Sequence, residues 1–256
     1  MKLPSDACKH SSVKRARREI LNRHAPPRPK EFLTRAILEK LVQFTVAEGD
    51  QRSACMYVMS YAFLLRAPSE ALPAVATDGN FDGVSDSAVG GRAAPPKLFV
   101  RGDEVVLKLA KRKNKMYGST LVRKCWCETS PTTCPRHVLA DLIESTPVGQ
   151  PVFGAMPPKE ANADLRRRLA AIGIPNAHQF ILYAMRRGHA MDLVESGARL
   201  WEILQAGEWR SPAFLAYLKL HRVECEATRE AQAIAPQFMR DVFDDSDADG
   251  NDVDDE

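Results

Sequence analysis

The feature that most restricts the fold is the segment 52–65, which is apolar on nearly all sides. A helix with this pattern must be surrounded by other parts of the protein. The preceding segment, 31–47, has apolar residues at helical spacing, and a break at Gly49 and Asp50 separates the two. The pattern therefore predicts a helical core around one buried central helix.

Later segments add more helices and a small sheet. Helical patterns cover 138–144, 161–172, 176–196 and 200–206, and two more are predicted from about 212 and over 223–235. Short apolar runs predict strands at 98–100, 105–107 and 119–123, of which the first two form a hairpin. The predicted fold is mainly α with a small three-stranded antiparallel β-sheet.

Charge is distributed unevenly along the 256 residues, whose net charge is +3. Residues 1–30 carry nine Lys or Arg and two acidic residues, whereas residues 241–256 carry nine acidic residues and no basic one. Both ends are polar and poor in aromatic residues, which predicts a basic disordered arm over 1–30 and an acidic disordered tail over 236–256. The folded domain then spans 31–235, with a glycine-rich mobile loop over 76–96.

The basic arm is consistent with two functions. Its cluster of Lys14, Arg15, Arg17 and Arg18 is typical of a nuclear-import signal or of an arm that binds nucleic acid. The chain has no apolar run of membrane-spanning length and no secretory signal pattern at its start. These observations predict an intracellular protein that is not secreted and has no membrane partner, and the import interpretation predicts a nuclear one.

One group of cysteines has the composition of a metal site. Three thiols and an imidazole follow the third strand within thirteen residues, at Cys125, Cys127, Cys134 and His137. Such a set can complete a tetrahedral structural zinc site. The C-x-C spacing is tighter than the usual C-x-x-C, so ordinary buried thiols are the alternative.

Arginines and a tyrosine near the end of the folded domain suggest phosphate chemistry. The segment 183–217 contains Arg186 and Arg187 before a glycine, then a glycine-started sequence with Trp209, and finally Tyr217. Arginine presents a fixed fork of donors that matches a phosphate. A tyrosine hydroxyl aimed at the same phosphate would act as a nucleophile. Taken singly, these residues are better explained as a surface arginine pair and a core tyrosine.

Two earlier features are consistent with the same chemistry. Arg66 ends the apolar helix, where a charge is costly unless it is paired, so an ion pair with Glu70 is predicted. A lysine delivered by a hairpin into a phosphate site would be a good proton donor, although a solvated charge run is the alternative. The basic residues between the second and third strands are Lys111, Arg112, Lys113 and Lys115.

The order of these features resembles the catalytic domain of the tyrosine recombinases, the phage-integrase family, and within it mobile-element recombinases of the Crypton and DIRS kind. The resemblance covers about 31–224 and rests on an arginine with a nearby glutamate, a hairpin lysine, R-R-G, G-x-W and a tyrosine. It implies DNA strand cleavage and rejoining in site-specific recombination or integration, with double-stranded DNA as partner. It also implies that catalysis needs no cofactor and that tetramers assemble on DNA.

The resemblance further implies roles for individual residues. Arg66 and Arg186 would clamp the scissile phosphate, and Tyr217 would attack it to form a 3′-phosphotyrosyl bond. Lys113, with Lys111 and Lys115 as alternatives, would protonate the leaving 5′-oxygen. The rest of the predicted site comprises the catalytic Tyr183 and Trp209, the supporting Glu70, and the DNA-binding Lys111, Arg112, Lys115, Arg187 and Arg210.

Two departures from the family pattern keep other functions open. Tyr183 stands where the family has a histidine, and the spacing from Arg66 to Glu70 is one residue longer than R-x-x-E. The alternative prediction is a catalytically impaired DNA-binding relic of a mobile-element recombinase. A third hypothesis, from another class, is a zinc-organised interaction protein with no role on DNA.

Overall fold

The structure is a computed structural model. It describes residues 31–79, 94–110 and 118–209, apart from the side chain of Leu200. Within these ranges the chain forms six α-helices and four β-strands. The helices are α1 (Arg35–Ala47), α2 (Gln51–Ala62), α3 (Pro135–Ser145), α4 (Pro158–Ala171), α5 (Tyr183–Glu195) and α6 (Leu200–Gly207). The strands are β1 (Val75–Ala76), β2 (Lys97–Arg101), β3 (Glu104–Leu109) and β4 (Ser119–Lys124).

The first two helices form where apolar side chains recur at helical spacing. α1 buries one face, made of Leu38, Leu41, Val42 and Thr45. Before α2, the Asp50 carboxylate accepts a hydrogen bond from the Ser53 backbone N–H at 3.0 Å, which caps the helix. All ten residues from 53 to 62 are buried. The prediction of a central helix surrounded by protein is therefore confirmed.

The sheet has four strands in the order β1-β2-β3-β4, rather than the three predicted. β2, β3 and β4 are antiparallel as expected, with Val106 opposite both Phe99 and Val122. The additional strand, β1, pairs in parallel with the start of β2 through Val75 and Lys97. A strand of two residues has too few positions to show an alternating pattern. The sheet is therefore mixed, and the segment predicted as a loop from residue 76 begins inside a strand.

The helices pack on each other and on one face of the sheet. α2 contacts α1, α3 and α5, and α3 also contacts β2, β3 and β4. One large hydrophobic cluster fills the space between these elements. A smaller cluster around α5 and α6 contains Leu64, Ala190, Met191, Val194, Ile203 and Trp209. Within the described ranges, no helix combines the length and the apolar character needed to cross a bilayer.

An aspartate on α5 replaces the missing cap of α1. The Thr34 side chain makes no capping hydrogen bond, and the Arg35 backbone N–H donates instead to Asp192 Oδ2 at 2.8 Å. The Tyr61 hydroxyl on α2 donates to the same carboxylate, although burial raises the pKa of Asp192. One carboxylate thus joins the three helices α1, α2 and α5.

The helix that carries Arg186 starts later than predicted. The segment Ala177–Gln179 is a separate 3-10 helix, after which the buried Phe180 is extended, with ψ of 143°. The Phe180 carbonyl accepts a hydrogen bond from Arg166 Nε on α4 at 2.8 Å. Because this contact comes from the preceding helix, 14 residues away, the local pattern could not indicate the break, and α5 begins at Tyr183.

Candidate functional site

Arg66 and Glu70 form the ion pair that was predicted. Arg66 Nη1 lies 3.3 Å from Glu70 Oε1, and the Arg66 backbone N–H donates to Glu70 Oε2 at 2.8 Å. A π-helical turn, Ala67–Ala71, joins the two residues and is closed by a bond from the Leu72 N–H to the Ala67 carbonyl. A π turn holds one more residue than an α turn. The π turn therefore accommodates the spacing from Arg66 to Glu70, which is one residue longer than R-x-x-E.

Arg186 brings a second positive charge to the same carboxylate. Its side chain is 1% exposed, and its Nη1 lies 3.9 Å from Glu70 Oε2. Nη1 also donates to the Leu64 carbonyl at 2.6 Å, and Nη2 donates to the Gly207 carbonyl at 3.0 Å. Glu70 therefore lies between two arginines that are far apart in the sequence, and the three side chains together carry a charge of +1.

Trp209 packs on the guanidinium of Arg186. The guanidinium carbon lies 4.7 Å from the centre of the indole ring, and Trp209 is buried. A Cβ atom at Gly207 would lie 2.1 Å from a carbon of that ring, so only glycine fits there. Glu208 adopts a left-handed conformation with φ of 50° and ends α6. The G-x-W sequence thus folds the indole back over the helix end and directs the Gly207 carbonyl at Arg186.

The base of the basic hairpin lies beside this cluster. β4 begins at Ser119, whose hydroxyl donates to Glu208 Oε1 at 2.5 Å. Farther along β4, Arg123 Nη2 donates to the Ala206 carbonyl at 3.4 Å. The members of the predicted site that lie outside the described residues, and so stay predictions, are Lys111, Arg112, Lys113, Lys115, Arg210 and Tyr217.

Tyr183 and Arg187 lie on the same helix as Arg186, and both are half-buried. Tyr183 is the first residue of α5 and precedes Arg186 by three positions, so the two share a helix face. A phenol is able to donate a hydrogen bond but is a poor base at neutral pH. The exposed His178 lies in the separate 3-10 helix and not on α5.

His189 is a buried core residue in the interior of α5, and its Nδ1 is hydrogen-bonded. Its Nδ1 donates to the Tyr61 carbonyl at 2.7 Å, and its ring stacks on the Tyr61 ring with centres 4.5 Å apart. Burial and, to a smaller extent, the positive charges of Arg123 and Arg35 lower the pKa of His189 to about 3, although the hydrogen bond to Tyr61 opposes this shift. The ring is therefore neutral at pH 7 and takes no part in proton transfer there.

The predicted metal-binding residues come together in a separate group. The ligand atoms of Cys125, Cys127, Cys134 and His137 all lie within 4.8 Å of one another. This group is at the junction of β4 and α3, and Trp126 beside it has its ring centre 6.3 Å from that of His189 on α5. The fold thus brings together two of the predicted groups. One contains Arg66, Glu70 and Arg186, and the other contains the three cysteines and His137.

No protein-family model matches the sequence, and no curated protein matches it. Among solved structures, the chain is similar to XerH site-specific recombinase bound to difH substrate in a pre-cleavage complex. The sequence identity is 12% and the TM-score 0.49, over 79% of this chain and 55% of that one. The post-cleavage complex of XerH with palindromic difH substrate gives the same identity and TM-score, over 80% and 53%. The chain thus spans about half the length of the structures it matches.

Three contributors to the arginine cluster were not predicted from the sequence. Leu64 adopts φ of 48°, rare for a residue with a side chain, and its carbonyl binds Arg186. Glu208 and Ser119 join α6 to β4. Leu64 acts through its backbone, so its side chain carries no signal. For Glu208, the only sequence feature that could have indicated a role is its position between Gly207 and Trp209.

Proposed function

We propose that the protein cuts and rejoins double-stranded DNA as a tyrosine recombinase, through a covalent bond between Tyr217 and a 3′-phosphate. The supporting observation is the cluster of Arg66, Glu70, Arg186 and Trp209, in which Glu70 contacts both arginines and Trp209 covers one of them. The resemblance assigns these four residues to one site, although they come from distant parts of the chain. Their net positive charge suits a phosphodiester.

The two arginines would bind the phosphate in different ways. The Arg66 side chain is 21% exposed, so a phosphate oxygen can reach it directly. Arg186 donates to the carbonyls of Leu64 and Gly207, so a phosphate would replace one of these acceptors. The charged phosphate oxygen would form a stronger hydrogen bond with the guanidinium than the neutral carbonyl that it replaces. Both charges would stabilise the pentavalent transition state.

The proposed reaction conserves the energy of the phosphodiester. The Tyr217 hydroxyl loses its proton to water as its oxygen attacks phosphorus, the bond from phosphorus to the 5′-oxygen breaks, and Lys113 gives its proton to that oxygen. A 5′-hydroxyl from the same or another strand then returns a proton to Lys113 and attacks the phosphotyrosine, and the bond from phosphorus to Tyr217 breaks. The released Tyr217 oxygen takes up a proton from water. No metal or nucleotide is needed in either step. Exchange between two duplexes requires several copies, so we propose self-association on DNA.

Covalent trapping tests this proposal. The full chain is incubated with a pool of nicked duplexes, denatured and digested, and peptides are searched by mass spectrometry for an attached nucleotide. We expect an adduct on the Tyr217 peptide that is absent from Tyr217→Phe. Tyr117→Phe is the matched control, because it also removes one phenolic hydroxyl, at a position that is not part of the predicted site. An adduct that persists in Tyr217→Phe would rule out the assigned nucleophile.

A catalytically impaired DNA-binding protein is the second candidate. The observation that favours it is Tyr183, which occupies the helix face of Arg186 where the resemblance implies a histidine. Salt-sensitive DNA binding with no adduct on any tyrosine would support this candidate over the enzyme. If a Tyr183→His variant then formed the adduct, the missing step would be assigned to position 183.

A further inference from the structure

Four potential metal ligands converge at the junction of β4 and α3. His137 Nδ1 lies 3.6 Å from Cys125 Sγ, 2.9 Å from Cys127 Sγ and 3.4 Å from Cys134 Sγ. The sulfurs of Cys125 and Cys134 are 3.6 Å apart. This sulfur–sulfur distance is far too long for a disulfide, whose bond is about 2.05 Å. All four cysteines in the described ranges, including Cys55 away from this group, are free thiols.

Three of these separations are close to those expected around a tetrahedral zinc ion. Zinc binds sulfur at about 2.3 Å and imidazole nitrogen at about 2.0–2.1 Å. A regular tetrahedron with these bonds places two sulfurs about 3.8 Å apart and a sulfur and a nitrogen about 3.5 Å apart. Three of the four distances agree with these values within about 0.2 Å, and the Cys127–His137 distance is shorter. Four protein ligands fill the coordination sphere, which is typical of structural and not catalytic zinc.

The local backbone stabilises negative charge on the sulfurs. The Trp126 N–H points at Cys134 Sγ from 3.4 Å, and the Cys127 N–H points at Cys125 Sγ from 3.5 Å. Cys134 is the N-cap residue of α3, an eleven-residue helix with Pro135 in its first turn. Three thiolates with one zinc ion carry a charge of −1, which the positive end of this helix favours.

We propose that Cys125, Cys127, Cys134 and His137 hold one structural zinc ion that fastens the end of β4 to the start of α3. This proposal does not depend on the proposed function. It also explains the tight C-x-C spacing, because this spacing places Trp126 between the two ligands Cys125 and Cys127.

The ion would also position the helix that carries Arg186. Trp126 Nε1 donates to the Thr133 carbonyl at 3.0 Å, and its ring meets the His189 ring of α5 at an angle of 89°. The guanidinium of Arg35 lies over the same indole, 5.7 Å from its centre. Since Cys125 and Cys127 flank Trp126, fixing their sulfurs fixes the indole against α5. Loss of zinc is therefore expected to loosen α5 as well as the β4–α3 junction.

The test measures metal content in untagged full-length protein, purified without chelator. Elemental analysis is expected to find one zinc per chain in the wild type and less than a tenth of that in His137→Ala and Cys127→Ser. His137 is exposed, so its replacement removes a ligand without opening the core. The matched controls are His178→Ala, at an exposed histidine outside the group, and Cys55→Ser, in which serine can still donate to the Val138 carbonyl.

Two further measurements, both on wild-type protein, test the proposal even if a ligand variant does not fold. Wild-type protein refolded with Co²⁺ is expected to show the absorption of a tetrahedral thiolate–cobalt complex. Removing the metal with a chelator is expected to lower Tm by on the order of 10 °C. A wild-type protein that folds without metal, with unchanged Tm and no thiolate–cobalt absorption, would overturn the proposal. So would zinc that remains at one per chain in a folded His137→Ala and Cys127→Ser double variant.

Discussion

At the residue scale, Gly188 permits a close backbone approach between the Leu33 segment and the helix that carries Arg186. A Cβ atom there would lie 1.7 Å from the Leu33 carbonyl oxygen, and the Leu33 N–H donates to the Ala184 carbonyl one turn earlier, at 3.0 Å. The glycine of R-R-G is thus required by packing against the segment that leads into α1. Gly188 is a structural residue two positions after the predicted catalytic Arg186.

We expect Gly188→Ala to lower the free energy of unfolding by about 2 kcal/mol or more, because overpacking exceeds the gain in helix propensity of about 1 kcal/mol. Urea denaturation followed by circular dichroism measures the change. The exposed Ala163→Gly in α4 calibrates the propensity term, with an expected loss of about 1 kcal/mol. A Gly188→Ala protein more stable than the wild type would contradict the close approach.

The buried His189 is expected to make stability depend on pH. The unfolded chain takes up a proton near the ordinary pKa of about 6.5, whereas the folded protein resists until about pH 3. Stability is therefore lost as the pH falls through this interval. Between pH 6.5 and 4.5 the loss from this one group is about 2 kcal/mol.

His189→Asn tests this effect, because its amide can still donate to the Tyr61 carbonyl but does not titrate. We expect the variant to be less stable at pH 7.5 and the difference from wild type to shrink by about 3 kcal/mol at pH 4.5. Denaturation curves across this range measure the difference, and His178→Asn is the exposed control. Parallel stability curves for wild type and His189→Asn would show that His189 titrates normally.

At the scale of secondary-structure elements, α4 is joined to the α1–α2 turn by Arg168. This arginine is 3% exposed and donates to Glu48 at 2.9 Å, to Asp50 at 2.6 Å and to the Tyr57 hydroxyl at 3.0 Å. Its neighbour Arg167 also binds Glu48 but is 52% exposed. Hydrogen bonds from Arg167 and then Arg168 lower the pKa of Glu48 to about 2.

These adjacent arginines form a matched pair for mutation. We expect Arg168→Met to lower the free energy of unfolding by about 3 kcal/mol, because it leaves a buried hydroxyl and part-buried carboxylates without their partner. Arg167→Met is expected to cost at most about 1 kcal/mol, since solvent screens an exposed pair. Chemical denaturation at pH 7 compares the two variants. Equal losses would mean that burial does not distinguish these ion pairs.

At the scale of the whole molecule, the uneven distribution of charge leads us to predict how DNA affinity depends on salt concentration. Each phosphate contact by Lys or Arg contributes about −0.9 to the slope of log affinity against log salt. Replacing Lys14, Arg15, Arg17 and Arg18 by Gln is therefore expected to make the slope shallower by up to about 3.6. Fluorescence anisotropy with duplex DNA at several salt concentrations measures it.

The matched control for this experiment replaces exposed lysines of the folded part, Lys40 and Lys159, by Gln. We expect the control to change the slope by less than one contact. An equal change per charge in both variants would indicate that net charge, and not the N-terminal cluster, determines binding.

The sequence alone determined the features that depend on near neighbours. Apolar spacing identified the buried α2, the β2–β3 hairpin and β4, and position in the chain identified the pairing of Arg66 with Glu70. Only the tertiary structure decided that Glu70 also contacts Arg186, that Trp209 stacks on that arginine, and that β1 adds a parallel strand. It also decided the start of α5, where a hydrogen bond from another helix ends the local pattern. Periodicity reports which face of an element is buried, whereas the partner of that face depends on how distant segments pack.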